Sequence, residues 1–151
     1  MTEAPRARHD PIRTPAAALL FGFTGAVPFL VLTGIIAVAG SSTWLENAFT
    51  FYSALILSFL GGIRWGDAGT TKDPGHRDLT LSILPSLLAW AALMLDDFYL
   101  QLAVLMLGHL LTAVVDGLIP PKAQLPWLRR LRLQLSGLVL ISHAILLTLL
   151  L

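Results

Sequence analysis

The chain has 151 residues, the size of one domain, and 56% of them are hydrophobic against 13% charged. A water-soluble domain carries about 25% charge, so this composition excludes a solvated globule and intrinsic disorder alike. A net charge of +1 leaves no basic footprint for nucleic acid, and the lack of cysteine excludes disulfides, thiolate metal sites and a cysteine nucleophile.

The remaining class is an integral membrane protein, whose helices need about 20 mostly apolar residues each. Residues 1–15, with Pro5, Pro11 and Pro15, read as a flexible cytoplasmic tail. The first span covers 16–40, with Pro28 inside it and Gly22, Gly25 and Gly34 as close-approach positions. Ala37-Val38-Ala39 resembles a signal-peptidase site. The apolar run before it is roughly twice a typical signal core, so the span is read as retained. The second span, 44–63, offers Ser58, Gly61 and Gly62 for helix packing, and Gly62 with Gly66 has the small-xxx-small spacing. A polar loop with Asp67, Asp73, His76 and Asp78 follows. Of these, His76 with Asp73 and Asp78 forms a loose cluster that reads as solvated rather than metal-binding.

The third span, 79–95, carries Pro85 and a ridge of Ser82, Ser86 and Trp90. The fourth, 98–119, is the most polar, and the fifth, 133–151, ends the chain. Between these two, the run 124–133 contains Pro126, Trp127, Arg129, Arg130 and Arg132 and reads as interfacial. Its tryptophan faces the acyl boundary and its arginines meet lipid phosphates. No period-two alternation marks a barrel, so the predicted fold is all-α, a polytopic bundle of five transmembrane helices.

Charge placement orients it. Every lysine and arginine falls before span one, between spans two and three, or between spans four and five. The positive-inside rule then puts the N-terminus inside and the C-terminus outside. The expected location is a bacterial inner membrane, or the mitochondrial inner membrane in a eukaryote.

Ionisable groups within spans are candidate sites by default. At 100° per residue, Gln101, His109, Thr112 and Asp116 fall at roughly 0°, 80°, 20° and 60° and form one stripe. Arg64 and Asp116 both lie at inner span ends, so an ion pair between them is open, with Asp67 as a competing partner. His109 and His143 each sit ten residues from an inner end, about 15 Å deep. Two imidazoles at one depth suit an interhelical hydrogen bond, a quinone contact or b-type haem ligation, with Gly108 and Gly137 making room.

Several strings occur together: Val27-Pro28-Phe29, Tyr52 followed by Ser58-Phe59-Leu60-Gly61-Gly62-Ile63-Arg64-Trp65-Gly66, Ser82-Ile83-Leu84-Pro85-Ser86-Leu87 with Trp90, Asp116, and Pro126-Trp127 before Leu131-Arg132. In these the chain resembles the domain of unknown function 3429 family over about 16–151. The resemblance implies a small polytopic helical protein of bacterial inner membranes and mitochondria. It brings no established activity and names no catalytic residue. Pro28-Phe29 lies in the matching region, which favours keeping span one. Leu128 stands where the family pattern has an aromatic, and His109 and His143 fall outside the matching strings.

No phosphate-cradling loop, HExxH or GxSxG is present, so the expectation is a non-enzymatic protein without a resident cofactor. Its expected partners are the lipid bilayer and a larger membrane complex or further copies of itself, with no nucleic acid. Its expected role is accessory or assembly work through helix and lipid contacts. The alternatives are a small-molecule site for quinone, lipid or haem in the bundle interior, and a small transporter or channel built as an oligomer.

Overall fold

The computed structural model describes residues 14–70, 72–120 and 125–150. The tail 1–13, with its three arginines, lies outside the described residues, as do Lys122 and Gln124. Among the described residues the fold is all-α, with five helices: α1 (Ala16–Ala39), α2 (Thr43–Gly69), α3 (His76–Leu93), α4 (Phe98–Leu118) and α5 (Pro126–Leu150). Among the described residues α1, α2, α4 and α5 are long and apolar enough to cross a membrane. α3 begins with His76, Arg77 and Asp78, which leaves a shorter apolar run than the other four helices have.

Local chemistry explains most boundaries. Gly40 ends α1 at φ 85°, a left-handed conformation that L side chains resist. The Leu45 amide donates to Ser42 Oγ at the start of α2, and the Leu100 amide donates to Asp97 Oδ1 at 2.7 Å at the start of α4. Two boundaries differ from the sequence expectation by more than one helical turn. α2 runs on to Gly69, because nothing in Arg64-Trp65-Gly66-Asp67 breaks a helix. α5 starts at Pro126 rather than at residue 133, because proline suits the first helical position, where its missing N–H is no loss. The interfacial run and the last span are therefore one helix.

The surface is inverted relative to a soluble protein. Val38 is 90% exposed, Phe21 74% and Trp44 73%, and such an apolar exterior suits hydrocarbon rather than water. The interior holds two apolar clusters. One joins Phe29, Ile36, Phe49, Leu102, Val139 and Leu146 across α1, α2, α4 and α5. The other joins Ala54, Leu57, Ala89, Ala92 and Leu105 across α2, α3 and α4.

The most extensive helix contact is α2 on α3. Its pivot is Gly61, where an added Cβ would strike the Ser82 carbonyl oxygen and reach Pro85 at 3.4 Å. The expected packing role of Gly62 and Gly66 is not met within the chain. Both glycines are exposed, with open space where a Cβ would stand, and Ser58 is half-buried. The structure therefore separates two neighbouring glycines. Gly61→Ala should lower stability by about 1–3 kcal/mol through overpacking, while Gly62→Ala should leave it unchanged or raise it by about 0.5–1 kcal/mol through helix propensity. Thermal unfolding of the two variants in detergent micelles measures the difference.

Candidate functional site

The contact at Gly61 sets the register that builds the site. One turn onward from Gly61 in α2 is Arg64, and one turn back from Ser82 in α3 is Asp78. In an antiparallel pair these two residues meet. Arg64 Nη2 lies 3.3 Å from Asp78 Oδ1, and Arg64 Nη1 lies 3.4 Å from Asp116 Oδ1 of α4. Asp116 presents its other oxygen to α5: Arg132 Nε donates to Oδ2 at 3.0 Å, and Arg132 Nη2 donates to the same atom. Arg64 also donates to the Ile119 carbonyl and Arg132 to that of Leu60. Arg64, Asp116 and Arg132 are 3%, 2% and 4% exposed, so one buried carboxylate joins two buried guanidiniums from different helices.

This arrangement corrects three expectations, for Arg132, Asp78 and Gln101. Arg132 does not face lipid phosphates. With α5 starting at Pro126, Arg132 lies more than a turn inside the helix and turns towards Asp116. Arg129 is half-buried and donates to the Gly117 carbonyl, whereas Arg130 is exposed and Trp127 is half-buried at the edge. Asp67 is half-buried and makes no salt bridge to Arg64. Asp78, expected as a solvated loop residue, is the outer member of the cluster. Gln101 does not belong with Asp116 either, since its side chain donates to the Leu95 carbonyl and closes the α3–α4 turn.

The structure brings His109 and His143 together. Both are fully buried, and their ring centroids lie 5.4 Å apart. Ser53 of α2 sits between them, with Oγ 3.1 Å from His109 Nε2 and 2.9 Å from His143 Nε2. His143 Nδ1 lies 2.8 Å from the Val139 carbonyl, which can only accept. The network then assigns the protons. His143 carries hydrogen on Nδ1, and its Nε2 accepts from Ser53 O–H. Ser53 Oγ accepts from His109 Nε2–H. His109 Nδ1 is left as a buried atom with no partner among the described residues. Both Nε2 atoms converge on one hydroxyl, and the edge of Phe49 packs on His143 at 4.9 Å. This packing does not fit a haem, whose macrocycle must pass between its axial imidazoles.

Beside the ionic cluster lies a cleft of about 310 Å³ between α2, α3 and α4. Its walls include Leu81, Leu84 and Leu88 of α3 and Leu111 of α4, and Arg64, Asp116 and Arg132 line one end. Arg64 Nε and Arg132 Nη1 are buried and have no hydrogen-bond partner among the described residues.

Sequence reasoning found Asp116 and both histidines from their place within the spans, and Arg64 from its place at the inner end of span two. It missed Ser53, which carries no signal beyond being a hydroxyl at the histidines' depth. It also missed the inward turn of Arg132, which knowledge of the α5 start would have revealed.

A family model described as "Protein of unknown function (DUF3429)" matches residues 14–148. Transmembrane protein 69 of Xenopus tropicalis is 37% identical over 133 residues, which are 85% of this chain and 52% of that protein. Transmembrane protein 69 of Mus musculus is 34% identical over 89 residues, 56% of this chain and 36% of that one. The chain thus spans about half the length, or less, of these curated relatives. No solved structure matches it.

Two substitutions rank the polar contacts. Asp116→Asn leaves two buried guanidiniums without their carboxylate and should cost about 3–5 kcal/mol. Ser53→Ala leaves two imidazole nitrogens unpaired and should cost about 1–3 kcal/mol. Melting temperatures in micelles should fall in that order, Asp116→Asn below Ser53→Ala below the parent.

Proposed function

On the premise that the chain belongs to the DUF3429 family, proteins of unknown function, we propose that it is a five-span, non-enzymatic accessory or assembly protein of an inner membrane. It acts through helix and lipid contacts, in a bacterial plasma membrane or the mitochondrial inner membrane. One observation carries this reading. The buried polar groups are engaged mainly with one another and with helix carbonyls, while the exterior is bare and apolar. Asp116, Arg64, Arg132, Ser53 and the two histidines hold helices together rather than presenting a nucleophile, a base and an oxyanion pocket to a substrate. Outside, Gly62 and Gly66 leave an open groove on α2, beside Phe59 at 62% and Trp65 at 50% exposure. Such a face suits close approach by another transmembrane helix.

The orientation belongs to the same proposal. With α3 as a span, the N-terminal segment and the α2–α3 and α4–α5 connections share the inner face. All the basic residues lie in that segment, in those connections or in the helix ends that adjoin them, as the positive-inside rule requires. The alternative of a small-molecule site is favoured by the cleft beside Arg64 and Arg132.

Two measurements test the proposal. The chain has no cysteine, so single replacements are clean labelling sites. A membrane-impermeant thiol reagent should label Ser41→Cys and Asp96→Cys from outside, and should label Lys72→Cys and Arg130→Cys only after the membrane is opened. The opposite pattern reverses the orientation, and a mixed pattern removes α3 as a span. Extraction of the full chain from its native membrane in mild detergent should yield a stoichiometric larger species; a strictly solitary monomer would overturn the accessory role.

A further inference from the structure

We propose that the cleft between α2, α3 and α4 is a binding site for one anionic amphiphile, its oxyanion head on Arg64 and Arg132 and its single acyl chain along the α3 leucines. This goes beyond the accessory role, because it concerns what this chain alone binds, with or without partners.

The cleft has two chemically distinct parts. The walls are carbon: Leu81, Leu84, Pro85 and Leu88 on one side, and Leu111 and Val115 on the other. The end is ionic, and of the charged groups that line it two are cations and one is an anion. Asp78 and Asp67, outside the lining, offset that excess, so the head is held by free N–H donors rather than by net charge. Asp78 is 37% exposed and engages only Arg64 Nη2, and Asp67 is half-buried. Each arginine retains one buried, unpartnered N–H group, at Arg64 Nε and Arg132 Nη1. A buried donor without an acceptor costs about 1–3 kcal/mol, and an oxyanion that accepts from both would recover it through charge-assisted bonds. Water alone would meet the donors but would leave the leucine walls wet.

Size and shape select the ligand class. A volume of about 310 Å³ is at the lower end for small-molecule pockets, enough for one chain and too little for a two-chain lipid in full. From Asp116 to Gly108 the cleft follows about two turns of α4, roughly 12 Å. Gly108 marks its far end. A Cβ there would strike Leu57 and Leu88, so both leucine side chains already cover that position. Leu84 and Leu111 are each 50% exposed at the rim, which gives an acyl chain a route in from the surrounding hydrocarbon. A carboxylate head and a phosphate head both meet the donor pattern. Free fatty acid and single-chain lysophospholipid are therefore the two sources.

The test uses the purified full chain in phosphatidylcholine nanodiscs with three labelled probes of equal chain length: palmitate, palmitoyl lysophosphatidic acid and palmitoyl monoacylglycerol. The expected result is saturable binding of one equivalent of palmitate, of lysophosphatidic acid, or of both, with the neutral monoacylglycerol at least tenfold weaker. Palmitate alone identifies a carboxylate site and lysophosphatidic acid alone a phosphate site. Leu84→Trp fills the cleft from its exposed rim without touching the ionic end, and Leu111→Trp does so from the opposite wall. At least one of them should melt like the parent and lose tenfold or more in binding. Three results would overturn the proposal: equal binding of the neutral probe, no saturable binding of either anion, or parental affinity in both tryptophan variants. Displacement of the bound probe by inorganic phosphate at micromolar concentration would also overturn it, because the acyl chain would then contribute nothing.

Discussion

Asp116 is the residue on which the bundle depends. Its two oxygens face different helices, Oδ1 towards Arg64 of α2 and Oδ2 towards Arg132 of α5, while its own backbone belongs to α4. Three helices in hydrocarbon have little hydrophobic reason to prefer one another over lipid. A shared buried carboxylate supplies a reason, because any rotation or slide that separates it from a guanidinium leaves an unpaired charge in a medium that cannot solvate it. Such a cluster adds little net stability compared with well-packed apolar residues. What it provides is register.

The same three helices are joined a second time, deeper in the bundle. Ser53 of α2, His109 of α4 and His143 of α5 repeat the connection made by Arg64, Asp116 and Arg132. Along α2 and α5 the two connections are about 16 Å apart, three turns of helix. Their chemistry differs in the direction the bilayer demands. The charged one lies towards the helix ends. The one at mid-depth can be assigned as a chain of neutral hydrogen bonds. α1 joins through apolar packing of Phe29 against the histidine rings and through Tyr52, whose hydroxyl donates to the Gly25 carbonyl at 2.7 Å. α3 joins at Gly61 and through Asp78.

Much of this was legible in the residue order. Apolar length placed the helices, intramembrane position singled out Asp116, His109 and His143, and a place at an inner span end singled out Arg64. What was not legible depends on directions that composition does not encode. Gln101 shares an angular sector with Asp116, yet its long side chain reaches back to the Leu95 carbonyl in the α3–α4 turn. Arg132 looked interfacial because it follows two other basic residues in a run. Its direction depends on where the helix begins, and proline at 126 begins it before the run instead of after. Ser53 is one hydroxyl among many until two helices place imidazoles on either side of it.

The α4 terminus explains why two cations can share one buried anion. The C-terminal carbonyls of a helix lack intrahelical donors and carry about half a negative charge between them. In α4 the Gly117 carbonyl accepts from Arg129, and the Ile119 carbonyl of the C-cap accepts from Arg64. The arginines thus answer two negative sources at one place, the Asp116 carboxylate and the end of the α4 dipole. The dipole is the weaker source, and it points along the helix axis rather than across to the α3 wall. Both sources belong to α4, so Arg64 and Arg132 tie α2 and α5 to the same end of that helix.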